Sequence, residues 1–119
     1  MTKTTLAIEH TVTFRLIHGQ GSPEEAKFLN AASELAAIPG VQHFQIRRQT
    51  SPKNPHTFGI SMQFVTHSEY LAYCEHPAHV DFVQHRWLKE VADFQEADFE
   101  PSSNGKQWTD GRADSLGRD

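Results

Sequence analysis

The amino-acid sequence predicts one α+β domain with its elements in the order βαββαβ. Three observations carry this. Apolar residues alternate with period two over Leu6–Leu16 and again over Thr57–Val65. Two helix starts of the form Ser/Thr-x-x-Glu follow the first and third strands, at Ser22 and Thr66. The chain is 119 residues long, one domain's worth of protein.

In the first strand Leu6, Ile8, His10, Val12, Phe14 and Leu16 share the buried face, and His10 is its odd member. Ser22-Pro-Glu-Glu25 starts the first helix. Ser22 accepts from a free N–H, Glu25 reaches back, and Pro23 suits the first helical position. Phe28, Leu29, Ala32, Leu35 and Ala36 recur at helical spacing until Pro39-Gly40 ends the run. Val41–Gln49 reads as the second strand, with Phe44 and Ile46 two apart, and a Pro-containing loop follows. In the third strand Phe58, Ile60, Met62 and Phe64 share one face. Thr66 then opens a helix carrying Tyr70, Leu71 and Tyr73. Pro77 interrupts it, since proline inside a helix costs about 3 kcal/mol, and is expected in the first turn of a second piece. That piece presents Val80, Val83 and Trp87 on one side and His79, Phe82 and Arg86 on a neighbouring one. Val91–Phe99 is the last strand, with a weaker, acidic pattern.

Two split βαβ halves of this kind make a ferredoxin-like sheet with both helices on one face. The opposite face carries Thr11, Thr13, Arg15, Ser61 and Gln63. A second sheet packed there would close it, although the polarity alone equally allows a solvated monomer. Residues 102–119, rich in Ser, Gly, Asn and Asp, are expected to be a polar tail beyond a domain at 1–101.

Charge and composition exclude several functions. With 11 Lys and Arg against 15 Asp and Glu, the net charge is −4, so the basic footprint needed for nucleic acid or an anionic membrane is missing. No run approaches the roughly 18 apolar residues of a membrane span. The single cysteine, Cys74, allows no intrachain disulfide and points to a reducing, cytoplasmic setting. No basic residue lies near it, so it reads as a packed residue and not a nucleophile. Eight histidines are present, but without a His-Glu-x-x-His or a cysteine pair they predict no metal site. No phosphate-binding glycine loop is found, and no cofactor is expected.

The densest polar cluster is Tyr73-Cys-Glu-His76-Pro-Ala-His79, followed by Val80-Asp-Phe82. Together with His10-Thr-Val-Thr-Phe14, Ile38-Pro-Gly-Val41 and Asp98-Phe-Glu100, it resembles the signature of the stress-responsive A/B barrel (Dabb) family over roughly residues 9–101. The resemblance implies a homodimeric α/β barrel of ferredoxin-like subunits. Members include plant stress-induced proteins and olivetolic acid cyclase, which closes a polyketide chain without a cofactor. Its catalytic Tyr and His match Tyr73 and His79, whereas a His on its third strand is replaced here by Phe58. The implied ligand is a small apolar carbonyl or polyketide-like molecule between sheet and helices. His79 would be the base and Tyr73 the hydrogen-bond donor to the enolate. His10, Val12, Phe14, Phe58, Ile60, Met62 and Phe82 would form the binding pocket. Positions six apart on a straight helix face different ways, so the pair converges only if Pro77 breaks the helix.

Competing readings are structural. His76 before a proline is expected to cap the second helical piece, Tyr73 can be a core aromatic, and His10 a hydrogen-bonded core histidine. A non-catalytic stress dimer would have Tyr73 and His79 packed with no accessible cavity. A cofactor-independent monooxygenase is a third option on the same fold.

Overall fold

The structure is a computed structural model and describes residues 7–102. The four strands are β1 (Ile8–Leu16), β2 (Gln42–Arg48), β3 (Phe58–Phe64) and β4 (Val91–Phe99). They form one antiparallel sheet in the order β2-β3-β1-β4. Helix α1 (Pro23–Ser33) follows β1, while α2 (His67–Glu75) and α3 (Pro77–Phe82) link β3 to β4. Among the described residues no helix is long and apolar enough to cross a membrane. The expected tail lies, apart from Ser102, outside the described residues, as does Leu6 at the start of the first alternating run.

Both expected N-caps form. Ser22 Oγ accepts from Glu25 N–H, and Thr66 Oγ1 accepts from Glu69 N–H at 3.1 Å. The return arm of the first box is shifted by one residue: Glu25 Oε1 accepts from Gly21 N–H, because Ser22 N–H already donates to Gly19 O. After Ser33 the helix tightens into a 3₁₀ segment, Glu34–Ala37, which keeps Leu35 and Ile38 in the core.

Alternation sorts the two central strands. Ile8, His10, Val12, Phe14 and Leu16 of β1 face the helices, opposite Phe58, Ile60, Met62 and Phe64 of β3. Phe14, Phe28 and Phe64 are wholly enclosed, and Phe14 packs on Phe28 and Phe58 with ring centroids 5.8 Å apart. The segment after Pro77 does not keep the expected grouping of Val80 with Val83 and Trp87, or of Arg86 with His79 and Phe82. Val80 is exposed, and His79, Phe82, Val83 and Trp87 turn inward. Spacings of three and four from His79 lead to Phe82 and Val83. A π-helical stretch, Val83–Trp87, then widens the turn, so Trp87 and not Arg86 completes the buried face. Arg86 instead donates to Glu90 Oε2 at 3.1 Å.

β4 is exposed along most of its length, and three histidine–carboxylate pairs attach it and the residue before it. His10 Nδ1 donates to Asp98 at 2.6 Å, His56 Nε2 to Asp93 at 2.7 Å and His18 Nε2 to Glu90 at 2.7 Å. His56 is buried and also takes the Thr13 hydroxyl on Nδ1 at 2.7 Å.

Two stability measurements test this packing. Phe28→Ala is expected to lower the unfolding free energy by about 3–5 kcal/mol in urea titrations, since the wholly buried ring leaves a cavity. His56→Ala leaves Thr13 and Asp93 without their shared partner and is expected to cost about 1–3 kcal/mol.

Candidate active site

The break between α2 and α3 builds the first part of the site. His76 is extended (φ −63°, ψ 136°), and Pro77, which has no N–H to lose, starts α3. In an unbroken helix the Ala78 N–H would go to the carbonyl of Cys74. Here it donates to His76 Nδ1 at 3.1 Å, so His76 is the N-cap and the Cys74 carbonyl is left free. His79 Nδ1 donates to that carbonyl at 3.0 Å. A carbonyl oxygen only accepts, so Nδ1 carries the proton of the neutral ring and Nε2 holds the lone pair. The same break swings His79 onto Tyr73, with ring centroids 4.6 Å apart.

Both side chains line a cavity of about 300 Å³ between sheet and helices. That is the lower end of the size of small-molecule sites. Its floor is Val12, Ile60 and Met62, with His10 beside them, and Phe82 closes the helix side. Two residues expected in the binding pocket, Phe14 and Phe58, do not line it. They are paired across β1 and β3 one step beyond Val12 and Ile60, where Trp87 covers Phe14 and Arg48 lies 5.3 Å from the Phe58 ring centroid. Leu35, Val83 and Trp87 take their place, and the exposed Leu88 and Phe94 stand at the rim with Glu96.

The family follows from a match to the Stress responsive A/B Barrel Domain (Dabb), which spans residues 8–101. The chain belongs to the Dabb family. A Dabb family protein with a ferredoxin-like fold from Mesorhizobium loti is 47% identical, with a TM-score of 0.79 over 82% of this chain and 98% of that one. A dimeric ferredoxin-like protein of unknown function from Thermobifida fusca is 22% identical, with a TM-score of 0.65 over 80% and 91% of the two chains. A hydroxynitrile lyase from Passiflora edulis is 13% identical, with a TM-score of 0.68 over 82% and 94%. Among curated proteins none matches.

In this Dabb domain the two helix-borne groups have distinct proton affinities. Burial lowers the pKa of His79 from the ordinary 6.5; nearby His10 lowers it further, against the opposing bond to Cys74. Burial, with smaller contributions from Cys74 and Glu96, raises the Tyr73 hydroxyl far above its ordinary value. At neutral pH the site therefore pairs a neutral imidazole, an acceptor at Nε2, with a phenol that keeps its proton and can donate it in a hydrogen bond. Burial also raises the Cys74 thiol, so it supplies its carbonyl and not a thiolate. Among the described residues no three His, Cys, Asp or Glu side chains converge in a way that would hold a metal ion.

Asp98 and Tyr70 join the site without having been singled out from sequence as functional residues. Asp98 Oδ1 accepts from His10 Nδ1, and Oδ2 accepts from the Tyr70 hydroxyl at 3.0 Å. A signal for each existed. Tyr70 sits one helical turn before Tyr73, and Asp98 alternates with Phe94 and Glu96 along β4, although which β1 residue each meets is set by the strand register.

The lowered His79 value has a measurable sign. The native state prefers the neutral ring, so the unfolded chain takes up the proton first on acidification. The stability His79 contributes is intact above the ordinary 6.5 and is lost as pH falls through its lower native value. Urea unfolding across about pH 7 to pH 5 should therefore show a smaller acid loss for His79→Gln than for the wild type. Equal losses would contradict the assignment.

Proposed function

We propose that the cavity binds a small apolar carbonyl compound and that His79 and Tyr73 transfer a proton on it without a cofactor, in a reaction of cyclase or lyase type. The observation that carries this is the His79 Nδ1–H bond to the Cys74 carbonyl, which commits the cavity-lining ring to a tautomer with a basic Nε2 beside Tyr73. In this reading His79 Nε2 takes the proton α to the carbonyl, and the Tyr73 hydroxyl donates a hydrogen bond to the oxygen as enolate charge develops. Apolar walls keep water from competing for both groups. The open space beside the pair favours this reading over a packed, non-catalytic stress dimer. A neighbour named as a hydroxynitrile lyase, an activity that makes or breaks a bond at a carbonyl carbon, keeps lyase chemistry within the reading.

The proposal includes a homodimer closed across the outer, polar sheet face. The Thermobifida fusca neighbour is described as dimeric, and the outer face exposes Phe99 beside Thr11 and Ala97. Light scattering should give twice the 13.5 kDa chain mass. A mass of one chain at micromolar concentration would remove the dimer from the proposal.

Catalysis is tested with acetophenone in deuterated buffer, following α-proton exchange by NMR. The wild type should exceed the buffer rate. His79→Ala should lose roughly a hundredfold of the acceleration or more, the usual worth of a positioned base. Tyr73→Phe should retain binding with slower exchange. A His79→Ala variant as fast as the wild type would rule His79 out as the base.

A further inference from the structure

Besides His79, a second imidazole on the cavity wall is held by scaffold groups at one nitrogen only. His10 projects from the central strand, is 7% exposed and lines the same space. Its Nδ1–H donates to Asp98 Oδ1 at 2.6 Å, with a longer branch to the Tyr70 oxygen at 3.2 Å. The Tyr70 hydroxyl donates to the other oxygen of the same carboxylate. A carboxylate and a carbonyl both force the proton onto Nδ1, so His10 and His79 present the same tautomer. No described residue hydrogen-bonds either Nε2. The Tyr73 ring is close to both imidazoles, with centroids 6.3 Å from His10 and 4.6 Å from His79.

We infer that His10 is a second proton-transfer group working with His79 from the sheet side of the cavity, and that Asp98 and Tyr70 are its positioning residues. The inference rests on the proposed use of this cavity and narrows the substrate class to carbonyl compounds that react through a neutral enol. His79 Nε2 takes the α-proton, the C–H pair becomes the new C–C π bond, and the carbonyl π pair moves to oxygen. In this step His10 enters as the imidazolium paired with Asp98, gives its Nε2 proton to the oxygen, and is left as the neutral Nδ1–H tautomer with the N–H pair on Nε2. One proton enters the imidazole pair and one leaves it, so its charge is unchanged. Asp98 is the counter-ion while His10 carries the proton, and the Tyr70 hydroxyl occupies the carboxylate oxygen that His10 leaves free. The other titratable groups around this end of the cavity are Glu96 on β4, Tyr73 and Cys74 on α2, and His79 on α3.

Two measurements on the full chain test this. First, long-range ¹H–¹⁵N spectra of ¹⁵N-histidine-labelled protein are followed as acetophenone is added. Shifts at Nε2 of both His10 and His79 support the inference. A shift at His79 alone overturns it while leaving the cavity reading intact, and no shift at either overturns both. Second, α-proton exchange is compared among variants over a range of acetophenone concentrations. His10→Asn, whose amide can retain the Asp98 bond, should lower kcat about a hundredfold with KM little changed. Asp98→Asn should lower kcat about tenfold, less than loss of the acid itself, again with KM little changed. An unchanged kcat in both variants, or a loss confined to KM, would overturn the assignment, because a merely structural wall residue would affect binding and not the proton-transfer step.

Discussion

The interruption at His76–Pro77 is the constraint on which the site depends. A continuous helix would use the Cys74 carbonyl internally and send Tyr73 and His79 to different faces. Breaking it frees one acceptor and turns one imidazole toward that acceptor. The cost of a broken helix is limited because Pro77 lacks an N–H and His76 caps the next one. The same few residues therefore end one helix, start another and set the tautomer of His79.

The opposite wall depends on strand pairing. β1 is central, between β3 and β4, so its inward residues meet neighbours from both sides. His10 lies opposite Met62 on one side and Asp98 on the other, and Val12 lies between Ile60 and Glu96. One edge of this wall is apolar and the other acidic. That asymmetry gives the buried His10 a partner for one nitrogen while the cavity floor stays apolar. The acidic, exposed strand is held by its backbone ladder with β1, and carboxylates near both its ends add side-chain bonds to histidines from elsewhere in the chain.

Burial acts in opposite chemical directions on the two helix-borne groups. Desolvation disfavours the charged form of each, which is the cation for His79 and the anion for Tyr73. Both stay neutral, and a neutral imidazole and a neutral phenol are complementary as base and donor.

Local chemistry made much of this legible. Helix caps at Ser22, Thr66 and His76 depend on residues a few positions apart, and the buried faces of β1 and β3 depend on a period of two. Those signals lie in adjacent sequence, so the order of elements and the break at Pro77 could be read from them. The face after Pro77 was not legible, because a π-helical turn advances Trp87 into the position a regular helix would have assigned to Arg86. Nor was the exclusion of Phe14 and Phe58 from the cavity, since they share the periodicity of Val12 and Ile60 and differ only in what the helices lay over them. The His10–Asp98 bond spans 88 residues and depends on the register of β1 against β4. Periodicity assigns a residue to a face; only the tertiary packing decides which residue of another strand it meets there.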